Sequence, residues 1–288
     1  MFEDRIGFMA SLGLARMPAT RVVAELRALG YRAVEWTAVH FNPRTKSATE
    51  LRGLVEMARN EGLATSEVVV QQDYVTTDEA RRADRIAYTL EAIEACAEAG
   101  VSTVNLFTGP APWDESAPRI PAGLSLGAAW DMVTDAFRLI VPALERYQVH
   151  GAVEGVFGMI CNDYRSTEAL IESFGSPWLG VNFDPSHGTL RDDSDTGWIV
   201  RQWGKRRIKH VHLKDAVGIP EIGKFVFPLL GEGNVDWKGM FAALRDIEYE
   251  GWLSVEFESF AYHERVLKGD TVEAARRCMS DVRALLVL

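Results

Sequence analysis

Eight short apolar segments alternate with amphipathic helical segments along the chain, and this alternation limits the possible folds more than any other feature. The apolar segments have the length and the β-branched content of buried strands. The segments between them place apolar residues at helical spacing, as Val22, Val23, Leu26 and Leu29 do before a stop signal at Gly30. Alternating strands and helices favour a parallel sheet covered by helices.

Eight such units predict an α/β protein, specifically a closed (β/α)8 TIM barrel. The predicted strands are residues 6–9, 33–37, 66–70, 103–107, 151–154, 179–184, 208–215 and 251–257. The predicted helices are residues 18–29, 49–60, 78–99, 126–147, 167–174, 196–203, 236–247 and 271–286. A barrel of this kind uses about 250 residues as one domain. We therefore expect residues 1–288 to form a single domain. A dinucleotide-binding sheet is not supported, because no glycine-rich phosphate motif follows the first strand.

Composition narrows the classes of partner and the compartment. The net charge of −10 disfavours binding to nucleic acid, which normally requires a basic surface. We expect no signal peptide and no membrane association, since no long apolar run is present. The three cysteines, Cys96, Cys161 and Cys278, are far apart and form no C-x-x-C motif. Buried thiols in a reducing compartment fit this pattern, so a cytoplasmic location is expected.

Acidic and histidine side chains lie in or just beyond the predicted strands, and the later ones stand where their strands end. They are Glu35, Glu67, Glu154, Asp184, His187, His212 and Glu256. In a parallel barrel the functional residues lie at the C-terminal ends of the strands. Glu154, Asp184, His212 and Glu256 end strands five to eight and are therefore expected to be neighbours. Such a group would repel itself without a cation. Three carboxylates and one imidazole suit Mn²⁺, Mg²⁺ or Co²⁺ better than they suit zinc, which prefers thiolate ligands.

Simpler interpretations exist for each of these residues taken alone. Asp184 or Glu256 could be a helix cap or a surface ion-pair partner. Strand alternation places His210 and His212 on one face, where they could form only a hydrogen-bonded pair in a polar layer. Four successive strands that end in this way favour the metal site over the simpler interpretations.

Several motifs resemble the sugar isomerase/epimerase superfamily of xylose isomerase-like barrels. They are residues 29–35 (LGYRAVE), 153–154 (VE), 183–187 (FDPSH), 210–215 (HVHLKD), 231–237 (GEGNVDW) and 251–256 (GWLSVE). They follow the family order over nearly the whole chain. The superfamily includes ketose 3-epimerases, hydroxypyruvate isomerases, inosose dehydratases and metal-dependent apurinic-site endonucleases, so the motifs specify the superfamily but not the substrate.

The resemblance implies a role for each site residue. Glu154, Asp184, His212 and Glu256 would hold one divalent metal, with Mn²⁺ preferred over Mg²⁺ or Co²⁺. His187 would contact a substrate oxygen, and His210 would support the site from one layer below. Glu35 would lie near the mouth in a supporting or substrate-binding role. Lys214 is a candidate for substrate contact, with pairing to Asp215 as the alternative.

This chain also departs from the family pattern. Apolar residues 155–159 follow Glu154, where many members carry Asn or His. Trp36, Trp113 and Phe157 could add an apolar wall to the substrate site, or they could simply pack in the core. The histidine set that would hold a multi-zinc cluster in the endonucleases is incomplete, which argues against DNA repair.

The leading hypothesis is therefore a metal-dependent isomerase or epimerase of a keto-sugar or related polyol. Glu154 and Glu256 would be the catalytic residues that move the proton. A lyase or dehydratase acting on an inosose or an oxidised glycoside is the first alternative. A non-catalytic sugar-binding or partner subunit on the same barrel is the second. We expect a homo-oligomer, as is common in the superfamily.

Overall fold

The computed structural model describes residues 2–112, 120–121, 123–191 and 195–288. Eight parallel strands close into a barrel in the order β1-β10-β7-β6-β5-β4-β3-β2. The barrel strands are β1 (Ile6–Met9), β2 (Ala33–Trp36), β3 (Ala64–Val69), β4 (Thr103–Leu106), β5 (His150–Glu154), β6 (Leu179–Phe183), β7 (Ile208–Leu213) and β10 (Leu253–Val255). The predicted (β/α)8 TIM barrel is thus confirmed.

The helices that cover the barrel agree closely with the predicted segments. The helices are α1 (Leu12–Ala15), α2 (Ala19–Leu29), α3 (Ala48–Asn60), α4 (Glu79–Ala99), α5 (Leu126–Tyr147), α6 (Tyr164–Phe174), α7 (Pro185–Leu190), α8 (Thr196–Arg207), α9 (Trp237–Asp246), α10 (Phe260–Arg265) and α11 (Thr271–Leu286). Among the described residues, no helix combines the length and apolar character that crossing a bilayer requires.

Local signals explain where the helices begin and end. Asp236 accepts a hydrogen bond from Gly239 N and caps α9, and Ser47 forms a reciprocal capping box with Glu50 at the start of α3. Gly30 ends α2 with φ of 94°, a conformation that favours glycine. The apolar faces of these helices pack on outward-facing strand residues to form the main core.

Four short elements near the C-terminal end of the barrel, all among the described residues, were not predicted. Helix α1 follows β1, helix α7 follows β6, and helix α10 follows β10. A small antiparallel hairpin, β8 (Val217–Gly218) and β9 (Phe225–Val226), follows β7. All four are too short to produce a clear periodic pattern. They lie on the side of the barrel where ligand sites form in this fold.

The barrel interior is polar below the mouth. Ser66 Oγ lies 3.1 Å from Ser254 Oγ, and Ser254 Oγ lies 3.1 Å from His210 Nε2. A side chain at Gly7 would place its Cβ 2.9 Å from Ser254 Oγ, so this interior layer accepts only glycine at that position without rearrangement. The same layer supports the site above it.

Asp215 holds together the long loop between β7 and α9. Its carboxylate accepts hydrogen bonds from the indole N–H of Trp237 and from four backbone N–H groups, those of Ala216, Gly231, Gly233 and Val235. A Cβ at Gly233 would clash with this carboxylate. Asp215 is thus committed to the loop, and the alternative pairing of Lys214 with Asp215 is wrong.

We predict that Asp215→Asn lowers the free energy of unfolding by about 3 kcal/mol, because an amide group replaces an oxygen that faces buried donors. Chemical denaturation followed by circular dichroism measures this change. The control is Asp246→Asn, which removes an exposed ion pair with Arg201 and should cost less than about 1 kcal/mol. Equal effects of the two substitutions would contradict the role given to Asp215.

Candidate metal centre and active site

Four strand-end side chains meet at the barrel mouth, as the sequence predicts. Glu154, Asp184, His212 and Glu256 each offer one ligand atom, and these four atoms lie within 4.8 Å of one another. All four residues are buried. They come from or directly follow β5, β6, β7 and β10, which are consecutive in the barrel. We call these four residues the upper cluster.

Asp184 serves the fold and the site at the same time. Its Oδ1 accepts a hydrogen bond of 2.8 Å from Ser186 N at the start of α7. Its Oδ2 is buried and faces Lys214 Nζ at 2.9 Å and His187 Nε2 at 3.4 Å. The helix cap considered from the sequence is therefore present, but it uses only one of the two oxygens.

Glu154 is held by amide groups from inside the barrel. Asn105 Nδ2 donates to its Oε2 at 2.8 Å, and Asn182 Nδ2 donates to the same oxygen at 3.1 Å. Burial acts to raise the pKa of Glu154, but the charges of His212 and Lys214 and hydrogen bonds with His187 and His212 keep that pKa well below its usual value. Glu154 is thus an ionised carboxylate with a fixed orientation.

The His212 ring joins the upper cluster to a second group of acids. Its Nδ1 lies 3.0 Å from Glu256 Oε2, and its Nε2 lies 3.1 Å from Glu35 Oε1. Burial acts to lower the pKa of His212, but the surrounding charges of Glu35, Glu256 and Glu154 raise it well above the usual value. Each ring nitrogen therefore faces a carboxylate on a different side.

The second group lies one layer down, where His210 precedes His212 by two residues on the same face of β7. Glu35, Glu67, His210 and His212 have ligand atoms within 4.8 Å of one another. His210 Nδ1 lies 3.1 Å from Glu67 Oε2, and burial lowers the pKa of His210 to about 4. Burial and the neighbouring Glu35 charge raise the pKa of Glu67 well above its usual value. We call these residues the lower cluster.

The position of Glu35 in the lower cluster determines which role it can have in the site. Glu35 is fully buried beneath His212 and is not among the residues that line the cavity at the mouth. The structure therefore does not bring it to a position for substrate contact. It places Glu35 where a carboxylate orients a metal-binding histidine through the second ring nitrogen.

Lys214 provides the positive charge at the mouth. Its Nζ lies 2.7 Å from Glu256 Oε2, 2.9 Å from Asp184 Oδ2 and 3.2 Å from Glu258 Oε2. Burial acts to lower the pKa of Lys214, but these three carboxylates raise it well above the usual value. Glu258 was missed in the sequence, although it follows Glu256 by two residues and alternation places both on the same side.

A cavity of about 400 Å³ opens above the upper cluster. Glu154, Glu256, His187, Lys214 and Phe157 all border it. His187 Nδ1 is buried and has no hydrogen-bond partner among the described residues. Trp36 does not reach the cavity, because it is fully buried and packs against the His40 ring at 5.1 Å. Trp113 lies outside the described residues.

The upper cluster fits a divalent cation by the chemistry of its donors. The three carboxylates offer oxygen donors, and the imidazole offers one nitrogen donor of borderline softness. Such a donor set suits Mn²⁺, Mg²⁺ or Co²⁺. Asp184 Oδ2 is buried and faces the Lys214 ammonium group at 2.9 Å. The single ammonium group of Lys214 lies close to the carboxylates of both Asp184 and Glu256. A second cation in the upper cluster would therefore balance negative charge that Lys214 alone does not.

Residues 23–280 match the model of the xylose isomerase-like TIM barrel family. The chain belongs to this family.

Inosose dehydratases show local similarity to parts of this chain. The one from Clostridium tetani is 39% identical over 18% of this chain and 22% of its own length. The one from Salmonella typhimurium is 30% identical over 32% of this chain and 34% of its own length. The chain thus spans about a third or less of these relatives.

Solved structures share the whole fold at low identity. An E. coli 3-keto-D-glucoside 4-epimerase superposes with a TM-score of 0.75 at 17% identity, covering 97% of this chain and 99% of that one. A D-psicose 3-epimerase from Clostridium cellulolyticum H10 gives 0.76 at 16% identity, covering 98% and 99%. The IolI protein, solved with a zinc atom, gives 0.74 at 16% identity, covering 98% of each chain. Identities this low establish the fold alone.

We predict that Glu35→Gln weakens Mn²⁺ binding by about 10- to 100-fold, because His212 loses the carboxylate that orients its ring. Competition with a chromophoric chelator at constant pH measures the affinity without any substrate. The matched control is Glu67→Gln. Burial and the Glu35 charge favour the protonated form of Glu67, so an amide of the same shape should change the affinity less than Glu35→Gln does. The reverse order of effects would refute the assignment.

Proposed function

We propose that the protein is a divalent-metal-dependent isomerase or epimerase that acts on a keto-sugar or related polyol. One observation carries the proposal: Glu154 and Glu256, the outer two members of the upper cluster, both border the cavity. A substrate in the cavity therefore contacts two carboxylates that come from different strands. The family membership supports the proposal, since the similar proteins include sugar epimerases.

The proposed reaction moves one proton at a carbon next to a carbonyl group. A divalent cation held by Glu154, Asp184, His212 and Glu256 would supply Lewis-acid stabilisation of negative charge on the substrate oxygens. For epimerisation, one of the two catalytic groups, Glu154 or Glu256, begins as a carboxylate and accepts the carbon-bound proton, and the other begins protonated and donates its proton to the opposite face of the same carbon. The two groups exchange protonation states in each turnover. Each carboxylate has two oxygens, so metal ligation and proton transfer are compatible. We expect Mn²⁺, with Mg²⁺ or Co²⁺ as alternatives.

Two further residues are proposed to orient the substrate. His187 borders the cavity, and its Nδ1 has no hydrogen-bond partner in the part of the chain that the structure describes. It is therefore suited to a hydrogen bond with a substrate oxygen. Lys214 Nζ borders the same cavity and can donate to a second oxygen while it remains close to Glu256.

We predict that Glu154→Gln and Glu256→Gln each lower kcat by about 10³-fold, because an amide cannot accept the proton. Turnover is measured on ketohexoses, 3-keto-glucosides and inososes. Circular dichroism should show an unchanged fold. The control is Glu264→Gln, an exposed position on α10 that should retain full activity. Near-normal activity in both catalytic-site variants would refute the assignment.

Removal of metal tests the cofactor separately. We predict that dialysis against a chelator abolishes turnover and that added Mn²⁺ restores it, because the upper cluster then regains the charge that stabilises the substrate anion. Metal content by elemental analysis and activity are measured on the same samples. Full activity in a sample shown to be free of metal would contradict metal dependence.

A lyase or dehydratase is the second candidate, favoured by the local similarity to inosose dehydratases. Both reactions begin by removing a proton next to a carbonyl. A dehydratase then expels water, whereas an isomerase conserves the mass of the substrate. Mass spectrometry of the product on each active substrate separates the two candidates.

A further inference from the structure

One wall of the cavity is aromatic. Phe157, Phe225, Phe227 and Phe260 all border it, and we call these four residues the aromatic wall. Phe157 follows β5, Phe225 and Phe227 come from the β9 segment of the hairpin, and Phe260 begins α10. Three separate segments of the chain therefore bring four phenyl rings to the same cavity.

The aromatic wall is continuous with the polar groups of the active site. The Phe157 and Phe227 rings lie 5.5 Å and 6.0 Å from the His187 ring, and Lys214 Nζ lies 4.8 Å from the Phe227 ring centre. Phe225 lies 5.0 Å from Phe157 and 5.2 Å from Phe227. A ligand held by the polar groups is thus adjacent to the rings.

Burial decreases along the wall from the floor to the mouth. Phe157 is 4% exposed and Phe227 is 9% exposed, whereas Phe260 is 50% exposed. The wall therefore includes buried rings beside the polar groups and a solvent-exposed ring at Phe260. Hydroxyl groups against these rings would lose their water without gaining a hydrogen bond, which is unfavourable. An apolar group would gain free energy from the same contact.

We infer that the aromatic wall is a binding subsite for an apolar aglycone, so that the substrate is a keto-glycoside carrying an aromatic or similarly apolar group. This inference rests on the proposed function for the sugar part of the substrate. The polar half of the cavity holds the oxidised sugar ring, and the aglycone extends along the wall towards Phe260. The rings contribute contact area and stacking geometry, and the wall takes no part in proton transfer.

The test compares phenyl and methyl 3-keto-D-glucosides, in both anomers, on the Mn²⁺-loaded full chain. The wild-type protein should favour the phenyl compound in kcat/KM by about 10- to 100-fold, the effect of burying one phenyl group. Phe260→Ala should reduce this preference by about tenfold. Phe227→Leu should also reduce it, and this substitution keeps an apolar side chain in the buried cluster with Phe157.

The control is Val226→Ala. Val226 lies between Phe225 and Phe227 but is 56% exposed and does not border the cavity, so the preference ratio should not change. Equal kcat/KM for phenyl and methyl compounds in the wild-type protein would overturn the inference. So would an equal loss on both compounds in Phe260→Ala and Phe227→Leu, since the rings would then stack on the sugar itself.

Binding of unoxidised phenyl and methyl D-glucosides by calorimetry separates this inference from the proposed function. Tighter binding of the phenyl compound in a protein that turns over no keto-sugar would support the subsite and reject the isomerase. Turnover of keto-sugars with no aglycone preference in either assay would reject the subsite and leave the isomerase intact.

Discussion

The position of His212 between two carboxylates is the interaction on which the site depends. Its Nδ1 faces Glu256 and its Nε2 faces Glu35, so the ring cannot rotate without losing a charged partner. The acids of both clusters are buried, and like charges in such a place are unfavourable unless cations lie among them. Lys214 supplies one such positive charge within the chain. Strand β7 carries His212 and ends directly before Lys214, so the barrel fixes the positions of both side chains. Their positions in turn set the arrangement of the carboxylates at the mouth.

The barrel explains why residues distant in sequence form one site. Parallel closure aligns the C-terminal ends of β5, β6, β7 and β10, and each of these ends supplies one member of the upper cluster. Amide groups inside the barrel then orient the outer member, Glu154. Rigid strands and buried partners keep the ligand atoms within a few ångströms without a flexible loop.

The barrel and the grouping of the upper cluster could be predicted from the sequence. The barrel follows from the alternation of strand and helix patterns, and the grouping follows from the rule that functional residues lie at the C-terminal ends of barrel strands. Alternation along β7 placed His210 and His212 on one face. The same alternation, continued by two residues, points Lys214 towards Glu256 and away from Asp215. That signal was present in the sequence, although the adjacency of Lys214 and Asp215 left an ion pair between them open as an alternative to substrate contact.

Other features depend on contacts that a single sequence does not display. Glu154 is the last residue of β5 and borders the cavity, whereas Glu35 lies inside β2, one residue before its end, and does not border the cavity. Four of the five hydrogen-bond partners of Asp215 lie 16 to 22 residues further along the chain. The hairpin that carries Phe225 and Phe227 has strands of two residues, too short for a periodic pattern.

The two halves of the cavity have different structural origins, and this difference bears on how the family diversifies. The ionisable groups lie on barrel strands or directly beyond them, where a shift in one residue would disturb several charges. The aromatic wall lies on the segment after β5, on the hairpin and on α10, which can change without moving the barrel. Fold similarity at 16–17% identity establishes the barrel alone. Substrate identity in this chain is to be sought in Phe157, Phe225, Phe227 and Phe260, since a fold alone does not specify a reaction.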